Sequence, residues 1–217
     1  MKITPEMKKQ LLIVISCLLS FSLSAQQDPE AMKVLSDFSK KAKSAPSVSI
    51  DFSLVTNDSR DGSITEIEGS AIISGDKYKL ILPDNSVWAD GKTIWSYLPE
   101  VNEVTITEAD PDDESFISKP SLLFSLYNEG YKIRLIEQTV KEWVIDLYPE
   151  DISGNLMRIR LKIGKSSHDL KSAEYKTKDG INITLYPQKY DLTFKPTGDY
   201  FTFNPASYKG IEVVDMR

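Results

Sequence analysis

Residues 88–106 read WADGKTIWSYLPEVNEVTI, and this stretch decides the fold class. Its Asp-Gly pair at 90–91 suits the positive backbone dihedrals of a tight hairpin turn. After the turn, the large side chains fall on alternate sides of a strand, Trp95 and Tyr97 on one side and Ile94 and Leu98 on the other. The stretch is therefore predicted to be an antiparallel hairpin with bulky apolar residues on both faces.

The same period of two recurs along most of the chain. In MRIRLKI, residues 157–163, the apolar residues Met157, Ile159, Leu161 and Ile163 alternate with three basic ones. Residues 48–54 alternate in the same way, and DYFTFNP at 199–205 is predicted to be the last strand. Turn residues separate about eleven such stretches. This spacing predicts a mainly β (α+β) domain whose large antiparallel sheet curls into a barrel or half-barrel.

Two stretches break the alternation and are predicted to be helices. Asp28 suits the cap of the first helix and Pro29 its first position, and Pro46 ends it. The apolar residues between them have helical spacing: Val34, Leu35, Phe38 and Ala42. The second stretch, PSLLFSLY at 120–127, fits a short helix that starts at Pro120. It is too apolar to lie exposed, so both helices are expected to cover the open face of the sheet.

The first 25 residues are predicted to be a secretory signal peptide, followed by a single domain over residues 26–217. Three lysines precede an apolar run at 11–23, and the small residues Ser24 and Ala25 follow it. The run is short for a bilayer, which takes ~20 residues to cross. Cys17 leaves one alternative open, because VISC at 14–17 loosely matches the pattern that precedes a lipidated cysteine.

Composition argues against several classes of partner. The chain has 217 residues and a net charge of −6. Loss of the signal peptide would remove three lysines and one glutamate and so lower the charge to about −8. An acidic chain disfavours nucleic acid and anionic lipid surfaces, which bind lysine and arginine. If Cys17 is lost with the signal peptide, the exported chain can form no disulfide, which fits a bacterial periplasm.

The residues also carry no sign of catalysis, of a metal site or of a cofactor. His168, the single histidine, lies in the polar turn GKSSHDLKS, and a zinc site needs several nitrogen or sulfur ligands. The sequence has no G-x-S-x-G elbow and no glycine-rich nucleotide loop. The protein is therefore not expected to be an enzyme. Its apolar surface allows two interpretations, an ordinary filled core or a cavity for lipid.

Residues 88–106 resemble the signature of the LolA family of periplasmic outer-membrane lipoprotein carriers. The matching residues are Asp90, Gly91, Lys92, Trp95, Tyr97, Pro99 and Glu103. The resemblance continues through KPSLLFSLY at 119–127, which is similar to the lid segment of the family. It also includes SGNLMRIRLKIG at 153–164 and the stretch 200–217, so it covers essentially the whole mature chain.

This resemblance implies both a fold and an activity. The fold would be an unclosed antiparallel β half-barrel with the N-terminal helix and a mid-chain helical lid over a hydrophobic cavity. The activity would be that of a monomeric periplasmic carrier that buries the acyl chains of lipoproteins. It would receive them from an inner-membrane ABC exporter and pass them to an outer-membrane acceptor. Carriers of a different lipid, and related folds that act as lipid-sensing or envelope-stress scaffolds, remain alternatives.

The candidate lining of the cavity follows from its expected ligand, because acyl chains need apolar side chains around them. The alternation does not reveal which strand face points inward. The candidates on the strands are Phe52, Leu54, Ile72, Tyr78, Leu80, Trp88, Trp95 and Tyr97, and those on the lid are Leu122, Leu123 and Phe124.

The chain departs from the family at one position. Members of the family carry an arginine just after the second strand, where it bonds to the lid and helps to keep it shut. Here Gly75 stands at the matching position, followed by Asp76. Lys77 is the candidate replacement, and without it the lid must close in another way.

Overall fold

A computed structural model of the protein describes residues 28–110, 120–125 and 130–217. These residues form one α-helix, two short 3-10 segments and twelve strands. The predicted signal peptide with Cys17 lies outside the described residues, and so does the end of the predicted second helix. In the described part of the chain, every helix is too short or too polar to cross a bilayer.

Helix α1, Pro29–Ser44, begins and ends where the sequence predicts. The side chain of Asp28 accepts hydrogen bonds from the backbone N–H groups of Glu30 and Ala31, at 3.0 and 3.2 Å. It thereby satisfies donors that a helix start leaves without partners. Ala45 is extended, as expected for a residue that precedes a proline. One stripe of the helix is buried: Ala31, Val34, Leu35, Phe38, Ser39 and Ala42.

Twelve strands form one sheet. They are β1 Val48–Asp58, β2 Ser63–Ser74, β3 Lys77–Ile81, β4 Ser86–Ala89, β5 Thr93–Leu98, β6 Glu103–Glu108, β7 Tyr131–Gln138, β8 Glu142–Pro149, β9 Leu156–Gly164, β10 Leu170–Thr177, β11 Ile181–Asp191 and β12 Glu212–Asp215. Their spatial order is β12-β6-β5-β4-β3-β2-β1-β11-β10-β9-β8-β7. Neighbours pair antiparallel, except that β12 runs parallel to β6. Since β7 and β12 lie at opposite ends of this order, the sheet is unclosed, and the predicted half-barrel is confirmed.

The pairing register defines two faces of the sheet. Phe52 on β1 lies opposite Gly69 on β2, and both belong to the face that α1 covers, which we call the inner face. On the next strand pairs, Ala71 lies opposite Leu80 and Tyr78 lies opposite Ala89. Residues in register share a face, so these side chains also point inward. The residues that alternate with these along each strand, such as Ser53 on β1, point to the opposite side, which we call the outer face.

A bulge shifts one of the predicted strand faces. Ile159, Leu161 and Ile163 share one face as predicted, that face points inward, and none of them is more than 2% exposed. Met157 does not join them, because the register with β10 skips it. Leu156 packs against the inner core in its place, while Met157 is 44% exposed. Bulges of this kind insert one residue into a strand and reverse the alternation beyond it.

The predicted last strand at 199–205 is wrong. Phe201 and Phe203 are buried because they pack onto the sheet, not because they pair within it. The ring centroids of Phe203 and Trp88 lie 5.0 Å apart. Asn204 then caps a 3-10 segment, Pro205–Ser207, and the last strand of the sheet is β12. Phe201 and Phe203 are two positions apart, and their burial on either side of the exposed Thr202 produced the alternation that resembled a strand.

The predicted mid-chain helical lid is not shown by the described residues. The structure has a 3-10 segment there, Pro120–Phe124, which we call the mid-chain segment. Its last turn closes with a hydrogen bond from Ser125 N–H to the carbonyl of Leu122 at 2.8 Å. This spacing of three residues is typical of a 3-10 turn. Leu123 and Phe124 are buried, as the apolar character of the segment predicts.

We expect Gly69→Ala to destabilise the fold. A Cβ atom at position 69 would lie 2.7 Å from the ring of Phe52 and 2.8 Å from Leu82, so core side chains must shift. Overpacking of this kind costs about 1–3 kcal/mol. Thermal unfolding followed by circular dichroism should therefore show a lower Tm. The control is Gly154→Ala, because nothing lies within 4 Å of a Cβ there. Equal Tm values for the two variants would contradict the packing of Phe52 on Gly69.

Candidate binding site on the inner face

Both ends of helix α1 are tied to the same half of the sheet. At the start of the helix, the carboxylate of Asp28 accepts a hydrogen bond from the N–H of Leu135 on β7, at 3.3 Å. Near its end, Lys41 Nζ donates to Asp169 Oδ1 at 2.5 Å and to the carbonyl of Ser167 at 2.6 Å, in the turn after β9. Such charge-assisted hydrogen bonds are stronger than neutral ones. The helix is thus anchored to β7 and to the β9–β10 turn.

This half of the inner face is filled. Ile145 and Leu147 of β8 are fully buried, and so are the inward residues of β9. They form one cluster with Leu35 and Phe38 of α1. Interiors packed in this way contain few voids larger than a water molecule. The filled-core interpretation therefore holds for the half of the sheet that lies beneath the helix.

A cavity of about 230 Å³ lies where α1 ends and the other half of the sheet begins. We call it the seam cavity, because the helix, the β2–β3 hairpin and the mid-chain segment meet around it. Apolar and small side chains from all three alternate with polar ones along its wall. The lining residues are Ala42, Lys43, Ala45, Val48, Ile73, Ser74, Gly75, Asp76, Ser121, Phe124 and Ser125.

The mid-chain segment closes one side of the seam cavity through an aromatic contact. The ring centroids of Phe124 and Phe38 lie 5.5 Å apart, with an angle of 46° between the ring planes. Aromatic pairs at this distance add a modest attraction to the area they bury. Leu123 is buried beside Phe124, and Leu122 is half-buried. An apolar contact thus joins the segment to the helix.

Beyond the seam, the inner face is apolar but only partly covered. Half-buried side chains extend the core there: Leu54, Leu80, Leu82, Val87, Ile94 and Leu185. Of the predicted strand residues, the structure places Phe52, Leu54, Tyr78 and Leu80 on this face. The mid-chain segment with its three predicted residues contacts β2 and β3 on the same side. The sequence prediction missed Val87 and Ile94, because only their pairing with β3 and β4 reveals that they point inward.

Four predicted lining residues lie on the outer face instead: Ile72, Trp88, Trp95 and Tyr97. Ile72 and Trp88 both pair with Lys79, which lies between two inward residues of β3. Trp95 lies opposite Trp88, and Tyr97 follows it by two positions. Trp88, Trp95 and Tyr97 pack with Phe203, Tyr208 and Ile211 in a second, smaller core. The C-terminal segment, residues 192–211 between β11 and β12, covers this core, so these residues do not line the space under α1.

The position that departs from the family lies at the seam cavity. Gly75 is the first residue of the two-residue turn between β2 and β3, and its φ of +58° suits a glycine at this place. Lys77, the candidate replacement for the family arginine, lines a different pocket, together with Lys195 and Tyr200 of the C-terminal segment. The contact between Phe38 and Phe124 joins the mid-chain segment to the helix without it.

The polar residues of the described chain do not converge as a set of metal ligands. His168 lies in the turn after β9. The centroid of its ring lies 5.3 Å from that of Trp143, and its backbone N–H donates to the carbonyl of Gly164. Over residues 28–110, 120–125 and 130–217, no three His, Cys, Asp or Glu side chains converge as metal ligands would. The inner face presents mainly apolar side chains.

Known proteins resemble this chain in sequence and in fold. An outer-membrane lipoprotein carrier protein from Yersinia pestis is 26% identical over 211 residues, which cover 95% of this chain and 98% of that protein. A solved structure of an uncharacterized conserved protein from Thermus thermophilus covers 86% of this chain and 99% of its own, with a TM-score of 0.54 and 12% identity. A LolA superfamily protein from Nitrosomonas europaea has a TM-score of 0.43 and 14% identity, and the match covers 78% of this chain and 98% of that one.

The family model described as "Outer membrane lipoprotein carrier protein LolA" matches residues 21–181, which is most of the chain. The match includes α1, the β2–β3 hairpin and the strands that carry the partly covered inner face. The protein therefore belongs to the LolA family of outer membrane lipoprotein carrier proteins.

Proposed function

We propose that this protein is a periplasmic carrier that holds the acyl chains of lipoproteins on its inner face. The observation that carries the proposal is the partly covered apolar half of that face, next to the seam cavity, in a chain of the LolA family. The residues proposed to contact the acyl chains are Phe52, Leu54, Tyr78, Leu80, Val87 and Ile94, with Leu122, Leu123 and Phe124 of the mid-chain segment.

The energetics of acyl chains favour such a carrier. Each methylene that leaves water contributes about 0.8 kcal/mol, so a lipoprotein with long chains does not diffuse freely through an aqueous compartment. Apolar contact supplies this energy without fixing the chains in one position, because it is non-directional. A site without specific polar anchors can therefore release its cargo to a second protein. The half-buried Leu80, Val87 and Ile94 of β3–β5 provide that kind of surface.

Binding requires the mid-chain segment to move. Pockets for small ligands typically measure ~300–1,000 Å³, whereas the seam cavity measures about 230 Å³. Separation of Phe124 from Phe38 would join the seam cavity to the partly covered face of β3–β5. Helix α1 would stay in place, because hydrogen bonds from Asp28 and Lys41 hold it to the other half of the sheet.

The remaining features of the proposal follow from the family. The protein would be exported by its N-terminal signal peptide and act as a monomer in the periplasm. It would take lipoproteins from an inner-membrane ABC exporter and deliver them to the outer membrane, through an acceptor there if one exists. It would act by binding and release, without catalysis and without a cofactor.

The test is native mass spectrometry of the mature protein purified gently from periplasm, with lipid extraction of the same sample. We expect a bound acylated species that disappears on extraction. We also expect saturable binding of a neutral fluorescent acyl probe that purified lipoprotein displaces. A protein that is empty and also fails to bind the probe would overturn the carrier proposal. Such a result would favour a scaffold with a fully packed core.

A further inference from the structure

A second pocket lies on the other side of the β2–β3 hairpin from the seam cavity. It has a volume of about 370 Å³, and Lys77, Lys195, Ser74, Pro196, Tyr200 and Phe201 contribute to its wall. We call it the hairpin pocket. Lys77 comes from the start of β3, and the other basic residue, Lys195, comes from the C-terminal segment that crosses the outer face. Two distant parts of the chain therefore bring positive charge to one place.

The charge of the hairpin pocket is unusual for this acidic protein. Lys77 and Lys195 are exposed, and neither forms an ion pair with any acidic residue that the structure describes. Lys79 adds a third ammonium group, held 5.1 Å from the ring centroid of Tyr200 and 5.2 Å from that of Trp88. The net charge of the whole chain is −6. The pocket is thus locally basic although the protein as a whole is acidic.

Tyr200 complements the lysines as a hydrogen-bond donor. A tyrosine hydroxyl is protonated at neutral pH, and burial raises the pKa of this one further. Ammonium and hydroxyl donors together suit the oxygen atoms of a phosphate group. Asp76 is the nearest acidic residue in sequence to Lys77, and it lines the seam cavity and not this pocket.

The two pockets adjoin each other. Ser74 lines both of them, and only the turn residues Gly75 and Asp76 separate the strands at the tip of the hairpin. One pocket leads to apolar side chains, Val48, Ile73 and Phe124. The other presents the ammonium groups of Lys77 and Lys195, and Lys79 lies against the ring of Tyr200 in its wall. An amphiphile that extends over the hairpin tip could place its apolar chain in the seam cavity and its anionic end in the hairpin pocket.

We propose that the hairpin pocket binds the phosphate group of an anionic lipid whose acyl chain enters the seam cavity. This inference rests on the proposed carrier function and adds a class of ligand to it, a lipid with a phosphate headgroup. Lys77 and Lys195 contact the phosphate, and Lys79 contributes charge from behind Tyr200. The local cluster of lysines accounts for the attraction in spite of the net negative charge, because screening limits interactions to ~10 Å at 0.1 M salt.

The test compares two short-chain lipids as competitors of a neutral fluorescent acyl probe on the mature protein. The competitors are dihexanoyl phosphatidic acid and dihexanoylglycerol, which share their chains and differ in the phosphate. We expect phosphatidic acid to displace the probe at about tenfold lower concentration, and added salt should reduce this preference. In the Lys77→Ala/Lys195→Ala variant, the concentrations at which the two lipids displace the probe should differ by at most about twofold. The concentration needed for dihexanoylglycerol should be unchanged.

The control is Lys132→Ala/Lys176→Ala, which removes the same charge from exposed positions on β7 and β10. It should keep the preference for phosphatidic acid. A preference that survives loss of Lys77 and Lys195, or that is absent from the unchanged protein, would overturn the inference. Inorganic phosphate alone should bind at least about tenfold more weakly than phosphatidic acid. Equal affinity would indicate a site for free anion and would overturn the assignment to a lipid.

The outcomes also separate this inference from the proposed function. If dihexanoylglycerol displaces the probe but the phosphate adds nothing, the carrier proposal stands and the headgroup site fails alone. If neither the probe nor dihexanoylglycerol binds, the carrier proposal fails, and the headgroup site fails with it.

Discussion

Replacing Leu80 with glutamate should abolish acyl-chain binding, whereas the same change at the next residue, Ile81, should leave binding nearly intact. Leu80 points to the inner face, where it packs against the core beside the seam. Ile81 points to the outer face, opposite Ser70 and Ser86. Both side chains are half-buried, so the two variants place one carboxylate at similar depth on opposite sides of the sheet.

The expected size of this effect follows from the cost of burying a charge. Removing a carboxylate from water without a partner costs several kcal/mol, and ~2.7 kcal/mol corresponds to a 100-fold change in affinity. The Kd of a neutral fluorescent acyl probe should therefore rise at least about 100-fold for Leu80→Glu. Circular dichroism checks that each variant is folded, and Leu80→Asn offers a milder change if the charge prevents folding. Equal binding by the Leu80 and Ile81 variants would show that acyl chains do not lie on the inner face.

The largest loss of stability is expected from Asp146→Asn. Asp146 on β8 is completely buried on the outer face. Its carboxylate accepts hydrogen bonds from Arg160 Nε and Nη2 at 2.6 and 2.8 Å, and from the hydroxyl of Tyr148 at 2.9 Å. Arg158 Nη1 lies 3.6 Å from Asp146 Oδ2, and Nη2 of the same side chain donates to Glu174. One carboxylate thus holds together three side chains from β8 and β9.

The substitution removes the negative charge and leaves both guanidinium groups in place. Removing one partner of a buried ion pair lowers the free energy of unfolding by about 3–5 kcal/mol, because the remaining charge is left without a partner. Arg160 is 29% and Arg158 18% exposed, so water reaches them and we expect about 3 kcal/mol here. A change of 1 kcal/mol shifts Tm by ~2–4 °C in a domain of this size, so Tm should fall by roughly 6–12 °C.

The matched control is Asp37→Asn, which breaks the exposed ion pair between Asp37 and Lys33 on α1. Exposed pairs contribute little to stability, so its Tm should stay close to that of the unchanged protein. If Asp146→Asn unfolds at the same temperature as this control, the cluster on the outer face does not stabilise the sheet.

Local sequence was sufficient for the helix and for most strands. Asp28 and Pro29 determine where α1 begins, since one side chain caps the free N–H groups and the other presets the first backbone angle. Alternation determined which residues of β9 face the same way, from Ile159 to Ile163. These features depend on neighbours within a few residues, so the sequence contains them. The family resemblance at residues 88–106 also holds, although the tryptophans within it lie on the outer face of the sheet.

Only the tertiary structure decided which face of β3–β5 points inward. Both faces carry bulky apolar residues, so the local sequence does not reveal whether Trp88 or Val87 points to the inner face. The pairing register decides which face points inward. Phe52 of β1 faces α1, and the strand pairing across β2, β3 and β4 places Val87 and Ile94 on the same face as Phe52. The C-terminal segment then covers the opposite face with Phe203 and Tyr208. Alternation determines that two faces exist, but a segment more than 100 residues away determines which one remains open.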